Sequence, residues 1–131
     1  MSVKKLTTAI TSAMNHLEAS MNVGSKVDDV SRLVWRAAAD LEYALFLFSI
    51  ISQDESESSS WKIDLRSKEV EIKSVSRSAM ERLQRAQSKI KDGKLREAHK
   101  ETWMARGYLL KLQEFFEKRR RKLQKAAEKS S

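Results

Sequence analysis

The chain contains no cysteine and no proline among its 131 residues, and its glycines are Gly24, Gly93 and Gly107 alone. Without cysteine there are no disulfides, no thiolate ligands for zinc or iron–sulfur clusters and no thiol nucleophile, so several enzyme classes are removed together. Proline ordinarily makes up about 5% of a protein, and with glycine it marks turns. A sequence this long that nearly lacks both is expected to be mostly helix with few connections. Long apolar runs are missing too: the most apolar stretch, Tyr43 to Ile51, is about nine residues, where a membrane-spanning helix needs roughly 20. No membrane span is therefore expected.

What is present points to one domain. A chain of 131 residues can bury roughly two thirds of the surface that it exposes when unfolded. Lys4 and Lys5 precede Leu-Thr-Thr-Ala-Ile-Thr-Ser-Ala-Met14, which has the outline of a targeting peptide. The hydroxyl residues interrupt the apolar segment such a peptide needs, and the stretch continues as a regular helical pattern. It is read as part of the mature fold, and a cytoplasmic location is expected.

Four segments carry apolar residues at alternating spacings of three and four, the period of one buried helical stripe. The first holds Val3, Leu6, Ile10, Ala13, Leu17 and Met21, and Gly24 is placed to end it. The second opens at Ser25 and Asp28, a variant of the capping box, and repeats Val27, Val30, Val34, Ala37, Leu41, Ala44, Phe48 and Ile51. Leu33, Leu45 and Leu47 widen its stripe, so this helix is expected to be the most buried. The third holds Ile72, Val75, Ala79, Leu83, Ala86 and Ile90 and stops at Asp92-Gly93. The fourth restarts at once with Leu95, Ala98, Thr102, Ala105, Leu109, Leu112 and Phe116. So short a connection makes the third and fourth helices antiparallel neighbours.

Between the second and third segments lies an acidic, serine-rich loop, residues 54–60, without an apolar anchor. In the following residues 61–73, Trp61, Ile63, Leu65, Val70 and Ile72 alternate with polar side chains, a pattern that fits a small β-hairpin. An isolated hairpin is marginal in water and its flanks are uniformly helical, so helix is preferred here. The expected fold is all-α, an antiparallel up-and-down four-helix bundle over residues 1–117, followed by a basic extension at 118–131.

Charge is unevenly spread. The net charge is +8, but residues 1–60 hold five basic against eight acidic side chains (−3) while residues 61–131 hold 21 against 10 (+11). The densest cluster is Lys118, Arg119, Arg120, Arg121 and Lys122. Arg119 stands where the apolar stripe of the fourth helix is due its next core residue, so the buried part should end near Phe116. If residues 117–131 stay helical they project about 20 Å. A polarised surface of this kind steers anionic partners such as nucleic acid or an acidic protein, or favours association between copies of the chain.

Catalytic and metal chemistry finds little support. Di-iron bundles need Glu-x-x-His on two helices, and neither His16 nor His99 has a glutamate three residues before it. Glu97 and His99 lie about 200° apart around a helix and do not share a metal. No nucleophile elbow, phosphate-binding loop or dinucleotide fingerprint is present, although the members of a Ser-His-Asp triad need not be close in sequence. No cofactor is expected. Trp103, Tyr108, Phe115 and Phe116 are interleaved with Arg106 and Lys111, a combination that serves base stacking on single strands, although at helical spacing these rings also fit a core.

The segments Ala79-Met-Glu-Arg-Leu-Gln-Arg-Ala86, Asp92-Gly-Lys-Leu-Arg-Glu-Ala98 and Trp103-Met-Ala-Arg-Gly-Tyr108 resemble the second half of small uncharacterised archaeal helical-bundle proteins. They are also loosely similar to the higher-eukaryote-and-prokaryote nucleotide-binding (HEPN) bundles. The HEPN ribonucleases carry an Arg and a His separated by four to six residues, whereas two residues separate Arg96 from His99. The resemblance implies an accessory or binding role more readily than RNA cleavage. The expected function is thus a non-catalytic binding module that meets nucleic acid through Arg77, Arg82 and Arg85 of the third helix and Lys118 to Lys122. The alternatives are a protein-interaction or self-assembly module built on the apolar stripe of the second helix, and an HEPN-like ribonuclease using His99.

Overall fold

A computed structural model describes residues 2–23, 27–52 and 72–130. They form four helices: α1 (Ser2–Asn22), α2 (Val27–Ser52), α3 (Ile72–Lys91) and α4 (Leu95–Ser130). There is no strand among the described residues. Ile72 and Lys73 open α3, while residues 61–71, the 54–60 loop and the expected cap positions Gly24 and Ser25 lie outside the described residues.

Apart from Val3, which is exposed at the start of α1, the stripes read from the sequence face inward. Leu6, Ile10, Ala13 and Leu17 of α1, Val34, Leu41, Ala44 and Phe48 of α2, Ala79, Leu83 and Ala86 of α3, and Ala98, Leu109 and Leu112 of α4 are buried in one cluster. Removing a leucine from water contributes roughly 1.5–3 kcal/mol, so this shared interior holds the helices together. Thr102, the one hydroxyl in the α4 stripe, is fully buried and donates back to the Ala98 carbonyl at 2.8 Å, which removes the cost of burying it.

The up-and-down path holds within each hairpin, α1–α2 and α3–α4. Between the hairpins, α2 packs against α4 and α1 against α3, so the order around the bundle is α1, α2, α4, α3. The register between α2 and α4 follows from two contacts: Glu42 pairs with Arg106 and Phe48 stacks on His99. Advancing along α2 thus retreats along α4. All neighbouring helices are antiparallel, and Ser52 and Ile72 stand at opposite ends of the bundle.

The α3–α4 turn shows why the chain stops where the sequence places Gly93. Lys94 N–H donates to the Lys89 carbonyl at 2.8 Å and Gly93 N–H to the Ile90 carbonyl at 3.0 Å. These are the two bonds of a Schellman motif, which satisfies carbonyls left over at a helix C-terminus. The motif requires a left-handed residue, and Gly93 has φ +76°. A Cβ here would touch nothing, so the demand for glycine is conformational rather than steric. Lys89 and Lys91 in the last turn of α3 favourably face the negative end of its dipole.

α2 is the most buried helix, as its widened stripe predicts, yet Trp35, Tyr43, Phe46 and Ile50 are exposed on its opposite side.

Candidate nucleic-acid interface

α4 is 36 residues long, about 54 Å at 1.5 Å per residue, while α3 has 20 residues, about 30 Å. Its final core residue is Phe116, and residues 117–128 are all exposed. The helix therefore leaves the bundle at the end where α1 finishes and α2 and α3 begin, and continues for about 20 Å past its last core residue. Among residues 117–128 are six basic side chains and two acidic ones, Glu117 and Glu128.

Because α4 is continuous, the register of its body carries into this arm. At 100° per residue, Lys111, Lys118, Lys122 and Lys125 fall on one stripe opposite the buried face. Arg119 and Arg120 take the side that Leu112 and Phe116 occupy one and two turns earlier, and Arg121 lies between. Cations thus surround the arm, densest along the lysine stripe. Glu117 accepts from Arg121 at 3.4 Å and Glu114 meets Lys111 at 3.5 Å. Both pairs are solvent-exposed, and such pairs contribute little and open readily. The spacing of Lys111, Lys118, Lys122 and Lys125 was visible in the sequence to the same periodicity test that found the core, but only a continuous helix makes it one stripe.

The three arginines of α3 do not join this arm as a group. Arg82 is held between helices: its Nη1 donates to both oxygens of Glu101, at 3.0 and 3.3 Å, and both side chains are largely buried. Partial burial opposes the charge on Arg82, but the Glu101 carboxylate outweighs it, together with Tyr108, and raises the guanidinium above its ordinary value. Arg82 is thus a fastener of α3 to α4. Arg77 and Arg85 are exposed, but Glu81 stands four residues from each on the same outward side of α3, which weakens their combined field.

Of the aromatics near the basic half, Tyr108, Phe115 and Phe116 belong to the interior, while Trp103 is half-buried. Phe116 is buried, Tyr108 and Phe115 pack against the core, and the Phe115 and Phe116 rings meet edge to face at 5.8 Å. Arg106 is engaged by Glu42. His99 lies flat against the fully buried Phe48 ring, with centroids 4.9 Å apart and planes 8° from parallel, so it helps seat α4 on α2. Arg96 is on the exposed side of the same turn. A second grouping joins α1 to α2, where Asp40 Oδ2 accepts from Ser12 Oγ at 2.9 Å and faces His16 Nδ1 at 2.8 Å. Serine and histidine here share one carboxylate oxygen, whereas a catalytic triad needs the serine to donate to the histidine.

Among the described residues no cluster of three or more His, Asp or Glu side chains is arranged to hold a metal ion, and no helix is long and apolar enough to cross a membrane. No family model, curated protein or solved structure matches this chain.

Proposed function

We propose that this chain is a non-catalytic binding module that contacts nucleic acid through the phosphate backbone, using the exposed end of α4. The observation that carries this reading is the continuation of α4 beyond Phe116 as an exposed helix carrying Lys118, Arg119, Arg120, Arg121, Lys122 and Lys125. Cations on all sides of a helix about 10–12 Å across suit a groove flanked by phosphates, since both walls then meet positive charge. The arm has no aromatic ring, and besides its cations only Gln124 is a side chain that commonly reads base edges. Binding is therefore dominated by counterion release and largely indifferent to sequence. About six phosphate contacts give a loss of roughly 10³ in affinity between 50 and 200 mM salt.

The test is a fluorescence-anisotropy titration of labelled duplex DNA and duplex RNA at increasing salt. The expected result is a steep log–log salt dependence whose slope falls by about 0.9 for each lysine or arginine replaced by glutamine. Absence of binding to either duplex at about 50 mM salt, where such contacts are strongest, overturns the reading.

A further inference from the structure

The outward face of α2 is the second surface that the fold leaves unexplained. Trp35 is 62% exposed, Tyr43 47%, Phe46 59% and Ile50 51%, and the four lie on one stripe diametrically opposite the buried stripe of the same helix. A helix apolar on all sides is normally enclosed by protein. Large side chains each present about 150–250 Å², so these four leave on the order of 500 Å² in contact with water. That is near the top of the range for the largest apolar patch on a monomer, about 300–600 Å².

The spacing indicates what covers it. With Ala39 and Glu42, which are also exposed, the face from Trp35 onward consists of positions 35, 39, 42, 43, 46 and 50, and the exposed Arg32 and Asp28 continue the same stripe toward the start of α2. The positions from 35 to 50 are symmetric about the point midway between Glu42 and Tyr43. Two copies of α2 laid antiparallel about a two-fold axis at that point therefore match position for position over residues 35–50. Trp35 of one copy meets Ile50 of the other, Phe46 fits over the small Ala39, and Tyr43 comes beside Glu42. A two-fold interface requires this self-complementarity, and the three-and-four spacing is that of helices that interlock along a seam. Charge is compatible with the same occupant: between Ala37 and Ser52 α2 carries no lysine or arginine, the exposed Arg32 and Arg36 flank only the Trp35 end, and the seam's own Glu42 is paired with Arg106 of α4. The patch supplies much of the roughly 800 Å² per partner of a standard interface.

From this geometry we infer that two copies of the chain associate through the outer faces of α2, antiparallel and two-fold symmetric. The inference does not depend on nucleic-acid binding. It sets the two α4 arms at opposite ends of the dimer, since each arm leaves from the end of the bundle where its α2 begins.

The absence of cysteine makes the test direct. In the full chain, Tyr43→Cys places a single thiol beside the axis, whereas Asp28→Cys, exposed on the same helix, places thiols roughly 40 Å apart in the antiparallel pair at 1.5 Å per residue. A short bis-maleimide should link most of the Tyr43→Cys chains and leave the Asp28→Cys chains single. Sedimentation at about 100 μM, well above a micromolar dissociation constant, should give twice the 15.1 kDa chain mass. Phe46→Glu should return the mass to one chain while the far-ultraviolet circular dichroism stays unchanged. Cross-linking at both positions indicates parallel pairing and overturns the proposal. So does a one-chain mass for the unsubstituted protein, which would mean that residues 53–71 or a different partner covers the face, and so does a Phe46→Glu protein that remains a dimer.

Discussion

α2 and the end of α4 are the two places where a helix departs from the rule of one face in and one face out, and they depart in opposite directions. α2 carries large apolar residues on both sides, with Phe48 sealed inside and Phe46 two residues earlier 59% exposed. The end of α4 carries cations on every side and buries nothing after Phe116. Neither arrangement serves the stability of a single bundle. Exposed aromatic surface costs solubility without adding to the core, and clustered like charges weaken the helix that bears them. The contrast separates the two kinds of association proposed above: a short-range one, driven by apolar area and specific in register, and a long-range one, driven by charge and tolerant of geometry.

Substitutions that separate the inner from the outer face of α2 should have the largest effect. Phe48→Ala, at a position with no exposure and a ring stacked on His99, should cost about 3–5 kcal/mol in urea melts. Phe46→Ala should cost within about 0.5 kcal/mol when the protein is dilute. Equal losses would mean that the two faces are not distinct. A smaller effect is expected where α4 is fastened to α3. Glu101→Gln should destabilise by about 1 kcal/mol, because a quarter of the Arg82 side chain remains open to solvent screening. Since the arginine value is raised, its share of this stability is complete below the ordinary arginine range and is lost only above it. The difference between parent and variant should therefore be the same at pH 7 and pH 9.

Gly93→Ala should cost about 1 kcal/mol, through the positive φ alone, and Gly93→Asn less, because asparagine tolerates that conformation. The smallest effect on folding belongs to the arm. Replacing Lys118, Lys122 and Lys125 by glutamine should move the melting free energy by no more than about 0.5 kcal/mol, while nucleic-acid binding falls by orders of magnitude at moderate salt. A large loss of stability would show that the arm packs on the bundle and is not free-standing.

The parts of this fold legible in the sequence are those governed by local periodicity. The stripes from Leu6 to Leu17, Val30 to Phe48, Val75 to Ile90 and Ala98 to Phe116 could be read in advance because an apolar residue every three or four positions marks one face of a helix to be covered. The turn at Gly93 and the end of the core at Phe116 were legible for the same reason, as the points where that pattern breaks. The partners of individual charges were not. Arg82 and Arg85 look alike in a chain rich in arginine, yet one is pinned by Glu101 and the other faces water, because helix α4 lies beside only one side of α3.

By itself the sequence determined four helices, the face that each turns inward, and a cationic end without core residues, since these follow from composition and the 3.6-residue period. The tertiary structure decided which helices are neighbours, and so which surfaces remain uncovered. Placing α4 rather than α3 against α2 brings His99 onto Phe48 and Arg106 onto Glu42, and it leaves Trp35, Tyr43, Phe46 and Ile50 with no helix of their own chain among the described residues to cover them. Periodicity cannot choose between two apolar sides of one helix. That choice depends on the packing of residues distant in the chain, where shape and burial are decided together.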